Sequence, residues 1–325
     1  RSRQPRPSRR AAAAADGPAM EQASGGPDLG RGGVIVIDKP AGPTSHDVVA
    51  AVRRHSGGVK IGHTGTLDPF ATGVLPLVVG KATRLARYVG GGDKEYRAIV
   101  RLGRATDTLD ASGRVVSEAP AGTRTPDAAE VARALPAFLG SWPQTPPAFS
   151  AKLTGGVRAY EQARRGVPVS LAPVPVTVSE LELVGMEGPL VTLRLVVSSG
   201  FYVRAFADEL GSKLGVGGCL EALRRTRSGP FRAEDAVSLD QVIASGVARA
   251  LLPPEALLLD WPAVVLTEEG LGRVAHGRGV GPAEYRPIPG GRPGALVRLL
   301  GPDLRLAAIG EPAGGGTLHP AVVLG

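Results

Sequence analysis

The chain has 325 residues and a formal net charge of +8, which favours an anionic partner, nucleic acid before a membrane surface. Its single cysteine, Cys219, excludes an internal disulfide framework and a multi-cysteine zinc site, and it fits a protein of the reducing cytoplasm. No apolar run approaches the roughly 20 residues that a membrane-spanning helix needs, the composition is that of a globular protein, and the length predicts one large domain with a smaller one.

The amino-terminal part of the chain alternates apolar segments with turn-forming ones. Residues 1–32 are rich in Arg, Pro, Ala and Gly and have almost nothing to bury, so we predict a disordered leader. The β-branched run Val34–Ile37 predicts a buried strand, and Thr44 with Asp47 three residues later predicts a helix that opens close to a capping box. Because Val74–Val79 predicts the next strand, the glycine-rich segment before it is predicted to be a loop, where site residues often collect.

The middle of the chain predicts further helices and strands around a basic, Pro-rich stretch. A helix is expected to open at Thr125-Pro126 and to run to Leu139, since proline is favoured at the first helical position. Residues 141–175 are less regular and carry many Pro, Lys and Arg residues, which predicts a functional or mobile segment. Further predicted elements are a helix at Ala82–Val89, strands at Tyr96–Leu102, Val176–Val184 and Val191–Val197, a helix ending at Leu214, and a helical stretch at Leu220–Arg225.

A composition break at Leu252-Pro253-Pro254 predicts a boundary between two domains. Beyond the break, the sequence predicts a helix from Thr267 to His276 and short strands at 295–300, 304–309 and 320–324. These elements are too few for a second enzyme domain and predict a small β-barrel-like appendage. We therefore expect a catalytic domain at 33–252 and a small domain at 253–325.

Asp68 is the leading candidate for chemistry. An Asp-Pro pair by itself is usually a turn or a helix start. Here, however, the segment Gly62–Pro69 surrounds the acid with glycines that permit close backbone approach, and with hydrogen-bonding groups from His63, Thr64 and Thr66. Such a loop suits a pocket that admits a planar ligand to a carboxylate.

Other kinds of site fail on spacing. Gly80-Lys81 suggests a phosphate-binding loop, but six residues rather than four separate Gly73 from Gly80, and Ala82 stands where Ser or Thr is needed. The turn Asp107–Asp110 lacks the further oxygen ligands of a calcium loop. The five histidines show no metal-binding spacing, and no Gly-x-Ser-x-Gly segment is present, so a metal site and a serine hydrolase are both disfavoured.

Several separated segments together resemble one known family, the bacterial TruB family of tRNA pseudouridine-55 synthases. The fourteen residues Gly62–Leu75 (GHTGTLDPFATGVL) are the most specific, and the resemblance runs in order and spacing from about Gly33 to Leu252. The other segments that carry it are Val36–Pro40, Lys94–Arg97, Leu102-Gly103, Thr106–Asp110, Gln144–Pro147, Ser150–Lys152, Tyr160 with Ala163–Gly166, Ser199–Arg204 and Leu223–Arg225.

The resemblance implies a mixed α/β (α+β) fold. Its catalytic domain is expected to have a largely antiparallel central sheet, followed by a small C-terminal β-rich, PUA-like RNA-binding domain. The implied activity is the isomerisation of the T-loop uridine of tRNA to pseudouridine after base flipping. The resemblance also implies no cofactor and no metal, with the tRNA T stem-loop as the partner. We further expect no membrane association and a monomer. It leaves room for a side role as a tRNA-folding chaperone.

The resemblance also implies roles at the catalytic centre. Asp68 matches the catalytic aspartate, and Arg204 matches the arginine that pairs with it. Tyr96 matches a tyrosine that stacks on the target base and is suggested to help remove the C5 proton. Tyr202 and Leu223 match residues that line the uracil pocket. Taken singly, each of these residues also fits an ordinary structural role in a core or on a surface.

Three more residues complete the predicted substrate-binding set. His63 matches a histidine that inserts where the flipped bases leave. Lys39, with Pro40, matches a motif that buttresses the site, and Arg224 is predicted to contact RNA phosphates. Further predicted RNA contacts are Arg84, Arg164 and the basic stretch Lys152–Arg165, which matches a mobile element that closes over the RNA.

Two questions stay open at the level of sequence. Asp68 is able to attack the sugar or the base, or to abstract a sugar proton, and the sequence does not choose among these routes. The catalytic subunit of a guide-RNA-directed pseudouridylation complex shares the aspartate motif and is the nearest alternative. A non-catalytic RNA-binding protein is the alternative from another class, and the set of Asp68, Tyr96 and Arg204 disfavours it.

Overall fold

The computed structural model of the protein describes residues 29–120, 122–150, 152–154, 157–291, 294 and 296–324. The strands, in chain order, are β1 Gly33–Lys39, β2 Ile61–His63, β3 Thr72–Val79, β4 Lys94–Leu102, β5 Arg104–Thr106, β6 Val115–Glu118, β7 Gly140–Gln144, β8 Leu153–Thr154, β9 Val157–Arg158, β10 Val174–Glu187, β11 Leu190–Val197, β12 Gly218–Ser228, β13 Phe231–Arg232, β14 Val237–Ser238, β15 Ala263–Leu266, β16 Tyr285–Ile288, β17 Val297–Leu300, β18 Leu306–Pro312 and β19 Leu318–Val323. The α-helices are α1 Ser45–Arg54, α2 Ala86–Val89, α3 Ala128–Ala134, α4 Ala159–Arg164, α5 Val203–Lys213, α6 Leu239–Ser245 and α7 Glu268–Ala275.

The central sheet has the strand order β14-β1-β3-β12-β4-β11-β10-β7, with β2 added to β3 and β13 added to β12. Its pairings are antiparallel except for β1 with β14 and β3 with β12, which are parallel. The predicted mixed α/β fold with a largely antiparallel central sheet is thereby confirmed.

The strand predicted at Val34–Ile37 is confirmed as the body of β1, and both of its faces are buried. Ile35 and Ile37 belong to the large core shared with α1 and α5, on one side of the sheet. Val34 and Val36 pack on the other side against a second core that includes residues of the C-terminal sheet. A strand covered on both faces needs a continuous apolar run, which is what the sequence provides.

The predicted start of α1 is confirmed in detail. The Thr44 hydroxyl accepts a hydrogen bond from the Asp47 N–H, and the Asp47 carboxylate accepts one from the Thr44 N–H, so the capping box is complete. The strand predicted at Val74–Val79 is confirmed as β3. The segment between them is only partly a loop, because β2 ends at His63 and pairs with β3, which leaves residues 64–71 as the loop.

The prediction for the next long helix was wrong at its start. α3 begins at Ala128 rather than at Pro126, and it gives way to a 3₁₀ turn at Leu135–Phe138. Asp127 is the N-cap, and it forms a capping box with Glu130. A carboxylate that accepts a first-turn N–H fixes the helix start more strongly than a proline does, since proline only permits it.

The helical stretch predicted at Leu220–Arg225 was also wrong, because these residues lie in the strand β12. Leu, Glu, Ala and Arg favour helix locally. β12 nevertheless pairs along most of its length with β4 on one side, and with β3 on the other. The backbone hydrogen bonds of two neighbouring strands, with a buried core beneath them, outweigh a weak local preference.

The other predicted elements of this region are confirmed with small changes. β4, β10, β11 and α5 lie at the predicted positions, and β10 extends further, to Glu187. The predicted helix Ala82–Val89 is divided into a 3₁₀ turn at Gly80–Leu85 and the single-turn helix α2. The stretch at 141–175 contains β7, the β8–β9 hairpin and α4.

A second sheet of five strands follows the composition break, in the order β16-β15-β17-β18-β19. The predicted helix α7 and the strands β17, β18 and β19 are confirmed, and so is the β-rich character of this part of the chain. β15 and β16 were not predicted, because β15 has only four residues and β16 contains Pro287. This sheet contributes Leu306 and Ile309 to the core that covers the outer face of β1.

Most of the predicted leader, residues 1–28, lies outside the described residues. Its last residues have defined contacts: Leu29 packs against the main core, and Arg31 donates a hydrogen bond to the carbonyl of Leu306. The Arg31 hydrogen bond joins the start of the described chain to the C-terminal sheet. No helix in the described part of the chain is long and apolar enough to cross a membrane.

Candidate active site

Asp68 lies in the loop between β2 and β3, and the loop backbone is fixed on both sides of it. The buried Ser45 hydroxyl donates to the carbonyl of Leu67 and accepts from its N–H, at 3.1 and 2.9 Å. The N–H of Gly42 donates to the carbonyl of Pro69 at 2.9 Å. The start of α1 and the turn before it therefore hold the residues that flank Asp68.

Arg204 forms a two-point ion pair with Asp68. Its Nε donates to Oδ2 at 2.9 Å, and its Nη2 donates to Oδ1 at 3.2 Å. The guanidinium is buried, with 6% of its side chain exposed, whereas 33% of the Asp68 side chain is exposed. A fork of this kind fixes the plane of the carboxylate, while one side of that carboxylate stays open to a ligand. The two residues predicted to act together are thus in contact.

Arg204 is itself held by two backbone carbonyls. Nη1 donates to the carbonyl of Thr108 and Nη2 to that of Phe149, both at 2.9 Å. The buried Asp110 carboxylate lies 3.8 Å from Nε. The sequence predicts only a polar turn at 107–110. The turn is present, with the Asp110 carboxylate accepting from the Ser112 N–H, and it also orients the arginine, a role that composition does not indicate.

Lys39 is fully buried beneath the loop. Its Nζ donates to the carbonyls of Pro40, Pro69 and Ala71 at 2.8, 3.1 and 2.8 Å. Burial lowers the pKa of Lys39 to about 8, and the nearby Asp68 charge partly offsets this effect. The predicted buttress fits this geometry, but the grouping of Lys39 with substrate-binding residues does not, because the side chain has no exposed surface.

Tyr96 and Leu223 lie on the adjacent strands β4 and β12. Tyr96 pairs with Arg225 and Leu223 with Ala98 in the antiparallel register, so all four side chains lie on the same face of the sheet. Each of the two predicted residues keeps 8% of its surface exposed. They provide one aromatic and one aliphatic surface at the edge of the main core, as a pocket for a planar base requires.

Tyr202 immediately precedes α5, and Gln144 of β7 holds its backbone. The Tyr202 N–H donates to Gln144 Oε1 at 2.8 Å, and Gln144 Nε2 donates to the Tyr202 carbonyl at 3.0 Å. Burial raises the pKa of the Tyr202 phenol, and the Arg204 and Asp68 charges act on it in opposite directions. Gln144 is a positioning residue that sequence reasoning missed, although its segment carried part of the resemblance.

His63 ends β2 at the mouth of the loop. Its ring meets the ring of His46 edge-on, with the centroids 5.3 Å apart. Its Nδ1 is buried and has no hydrogen-bond partner among the described residues. Burial lowers the pKa of His63, with smaller contributions from His46 and Arg225, so the neutral ring is favoured. A neutral, half-buried ring suits stacking on a base, and His46 is a neighbour that the sequence did not indicate.

Arg224 is placed away from this pocket. Strand alternation turns its side chain to the opposite face from Leu223, and there it forms a two-point ion pair with Asp38 at 3.0 and 2.8 Å. The Asp38 carboxylate occupies one fork of the guanidinium, the side chain stays 41% exposed, and the contact of Arg224 with RNA phosphates stays a prediction. The side chain of Arg164, another predicted phosphate contact, lies outside the described residues, as do Ala151, Gly155 and Gly156 of the predicted mobile element.

Arg84 is also engaged within the protein. Its Nη1 donates to the carbonyl of Val323 at 2.8 Å, which links the 3₁₀ turn after β3 to the last strand of the C-terminal sheet. Among the residues that the structure describes, no group of three or more His, Cys, Asp or Glu side chains is placed to hold a metal ion. The site that the described residues do form is a carboxylate fixed by arginine beside aromatic and aliphatic surfaces.

Two consecutive stretches of the chain match the models of one protein family. Residues 53–203 match the TruB family pseudouridylate synthase (N terminal domain), and residues 204–258 match the tRNA pseudouridylate synthase B C-terminal domain. The chain belongs to the TruB family. The first match contains Asp68 and Tyr96, and the second begins at Arg204, so the ion pair joins the two matched segments.

TruB relatives match most of the chain. A tRNA pseudouridine synthase B of Symbiobacterium thermophilum is 49% identical over 248 residues, which cover 75% of this chain and 82% of the relative. One of Solibacter usitatus is 42% identical over 296 residues, with 90% and 99% covered. One of Thermobifida fusca is 43% identical over 299 residues, with 90% and 98% covered.

Two solved structures have the same fold as this chain. A Cbf5-Nop10-Gar1 complex matches with a TM-score of 0.71 and 26% identity, covering 91% of this chain and 86% of that chain. An H/ACA RNP bound to a substrate RNA containing 2′-deoxyuridine matches with a TM-score of 0.70 and 26% identity, with 91% and 86% covered. Both matches cover more of this chain than the family models do.

Proposed function

We propose that this TruB-family protein is a tRNA pseudouridine-55 synthase that isomerises the T-loop uridine of tRNA, with Asp68 as its catalytic residue. The observation that carries the proposal is the Asp68–Arg204 ion pair, in which a buried guanidinium fixes a carboxylate that is 33% exposed. A carboxylate that is oriented by the protein and still open on one side is able to act on a bound nucleotide.

The reaction needs one bond to break and another to form within the same nucleotide. The N1–C1′ bond of uridine is cleaved, the uracil turns, and C5 joins C1′ while the C5 proton is lost and N1 gains one. Asp68 acts first, by adding to the sugar or to the base or by taking a sugar proton. Because the change is a redox-neutral isomerisation of one substrate, the proposal includes no cofactor and no metal.

The surrounding residues bind and orient the base in this proposal. The target uridine is first flipped out of the folded T loop, at a cost of a few kcal/mol. His63 enters the space that the flipped bases leave. Tyr96 stacks on the uracil and helps remove the C5 proton, while Tyr202 and Leu223 line its pocket. Arg204 keeps Asp68 in position throughout.

The partner in this proposal is the T stem-loop of tRNA, bound by a monomer in the cytoplasm. The catalytic domain spans residues 33–252, and residues 253–325 form a PUA-like domain that binds RNA. The excess of 38 Lys and Arg over 30 Asp and Glu supports phosphate contacts, so affinity should fall steeply as salt rises. Binding that does not depend on salt would show that the basic residues are not phosphate contacts.

The test of the proposal is Asp68→Asn with a T stem-loop transcript. We expect pseudouridine formation to be abolished while RNA binding survives, because the variant keeps the size of the side chain and loses its charge. Asp240→Asn, at an exposed position in the first turn of α6, is the matched control and should retain full activity. Conversion of the RNA by the Asp68→Asn protein would overturn the proposed mechanism.

The second candidate is a guide-RNA-directed pseudouridine synthase, and the similarity to the H/ACA complexes favours it. The sequence identity to those complexes is 26%, whereas the identity to the tRNA pseudouridine synthase B relatives is 42–49%. The tRNA enzyme is therefore the better supported of the two. Conversion of a bare T stem-loop, without guide RNA or protein partners, distinguishes them.

A further inference from the structure

Arg225 is one of the largest fully buried side chains of the described protein, with 1% of its surface exposed. In the register of β12 it is opposite Tyr96 on β4 and Gly73 on β3. Its side chain therefore lies on the face of the sheet that carries Tyr96, whereas its neighbour Arg224 faces the other way. The buried guanidinium is thus adjacent to the candidate active site but is absent from the roles that the sequence assigned.

All the hydrogen bonds of the Arg225 guanidinium go to backbone carbonyls around Asp68. Nη2 donates to Gly65 at 3.1 Å and Nη1 to Thr66 at 3.4 Å, just before the catalytic aspartate. Nε donates to Val74 at 2.7 Å, at the start of β3 just after the loop. One planar side chain therefore holds both ends of the loop.

Lys39 and Arg225 bind different parts of the loop. Lys39 holds the carbonyls of Pro69 and Ala71, on the carboxyl-terminal side of Asp68. Arg225 holds the carbonyls on the amino-terminal side and the strand beyond. Asp68 therefore lies between the loop residues that Arg225 holds and those that Lys39 holds.

The backbone around Arg225 is built for close approach. Gly73 has φ +103°, and a Cβ at this position would lie 2.2 Å from the Arg225 carbonyl oxygen. Only glycine fits such a contact without a shift of the backbone. A Cβ at Gly65 would meet Arg225 Nη1 at 3.5 Å, which is ordinary contact, so the loop closes directly onto the guanidinium.

Arg225 has no carboxylate partner within ion-pair distance among the described residues, and its donors are used on neutral carbonyls. A buried cation without a counter-ion is expensive to keep in a core, where an apolar side chain of similar size would normally be more stable. Burial is the largest cause of the lowered pKa values of His63 and Lys94, and the Arg225 charge lowers both pKa values further. Retention of such a group beside a catalytic loop points to a functional reason.

We propose that Arg225 is a positioning residue for pseudouridine formation, which fixes the Gly65–Asp68 segment relative to Tyr96 through its three carbonyl contacts. This inference rests on the proposed function. Lysine does not replace it, because the donors of an ammonium group all lie on one nitrogen, whereas Nε, Nη1 and Nη2 of the guanidinium are spread over a plane and reach carbonyls at both ends of the loop. Loss of the contacts lets the Asp68 carboxylate move relative to the base, and small misplacements of a reacting group slow the chemical step steeply.

The experiment compares Arg225→Lys and Arg225→Met with the wild-type protein on a T stem-loop transcript. Single-turnover rates report the chemical step, and Kd for the RNA is measured separately. We expect the rate of both variants to fall by about 10²-fold, with Arg225→Lys the less affected, and Kd to stay within about threefold of wild type. Arg227→Lys is the matched control, since Arg227 lies on the same strand and its guanidinium donates to the Gly229 carbonyl rather than to the Asp68 loop; its rate should equal that of wild type.

The possible outcomes separate this inference from the proposed function. If the wild-type protein forms no pseudouridine, the proposed function fails. If the wild type is active and both Arg225 variants react at the wild-type rate, or lose only RNA affinity, positioning by Arg225 is wrong. If Arg225→Met unfolds, Arg225→Lys decides the question, and unfolding of both variants at the assay temperature would show that the residue has a structural role alone.

Discussion

The carboxamide of Gln144 forms two hydrogen bonds with the backbone of Tyr202, from a position 58 residues earlier in the chain. Gln144 has no exposed surface, so these bonds are made in the protein interior. Tyr202 is the N-cap residue of α5, and Arg204 is the second residue of that helix. The pair therefore connects the edge strand β7 to the helix that carries the partner of Asp68.

Replacement of Gln144 by Leu should affect both stability and catalysis. The Tyr202 N–H and carbonyl would lose their partners in a buried environment, which should lower the free energy of unfolding by about 1–3 kcal/mol. The rate of pseudouridine formation should also fall, because the start of α5 is less well fixed. Urea unfolding and single-turnover assays measure the two effects. Ser141→Ala, at an exposed position on the same strand, should change the free energy of unfolding by less than about 0.5 kcal/mol.

Gly73→Ala should destabilise the protein strongly. The residue has φ +103°, and the added Cβ would lie 2.2 Å from the Arg225 carbonyl oxygen. Strain at such a position and the displacement of β12 should together lower the free energy of unfolding by about 2 kcal/mol or more. Gly62→Ala provides the comparison, because its Cβ would meet only Val78 Cγ2, at 3.7 Å. Equal unfolding midpoints for the two variants would contradict the role of Gly73.

Lys94 should make stability depend on pH in the alkaline range. It is buried and donates to the carbonyls of Gly90 and Gly92, and burial lowers its pKa from 10.5 to about 8, with Arg225 adding to the effect. Between pH 8 and pH 10.5 the Lys94 side chain is mostly protonated in the unfolded chain and mostly deprotonated in the folded chain. Raising the pH in this range therefore favours the folded state. The difference in unfolding free energy between the wild type and Lys94→Met should therefore increase from about pH 8 to 10.5.

The measurement is urea unfolding of both proteins across that range. Cys219 and Tyr202 have raised pKa values and oppose the trend in both proteins, so only the difference between the two isolates Lys94. A difference that stays constant with pH would show that Lys94 remains charged in the folded protein.

His63 variants should separate stacking from acid–base chemistry. His63→Ala should lower kcat/KM for the T stem-loop by about tenfold or more, since stacking of an aromatic side chain on a base is worth about 1–3 kcal/mol. His63→Phe should recover most of this loss, because the ring is retained and no ionisable group is needed. Equal losses in both variants would indicate that an imidazole nitrogen takes part, and its unpartnered Nδ1 would be the first candidate.

Local signals in the sequence predicted much of the framework. The continuous apolar run of β1 and the Thr44–Asp47 capping box depend on neighbouring residues only, and both were predicted correctly. The Asp68–Arg204 contact was predicted through family resemblance, which carries long-range information that a single sequence lacks. Local composition could not have joined two residues so distant in the chain.

The errors have a common physical cause. β12 was predicted as a helix because Leu, Ala, Glu and Arg favour one, and its identity as a strand depends on partners far away in the chain. The same error hid the role of Arg225, since a helix at these positions would not have placed Arg224 and Arg225 on opposite faces. Gln144 was missed for a related reason, because a buried amide is recognised only through the backbone groups that it contacts.

The position of β12 also determines when the catalytic centre can form during synthesis and folding. β3 follows the Asp68 loop, and β4 carries Tyr96. These two strands do not pair with each other, because β12 lies between them. Because β12 is synthesised long after both, a nascent chain that has not yet reached Gly218 leaves two strand edges unpaired. Insertion of a distant strand between two existing ones is a slow kind of folding step. We therefore expect the catalytic centre to form late in synthesis, once β12 has been made.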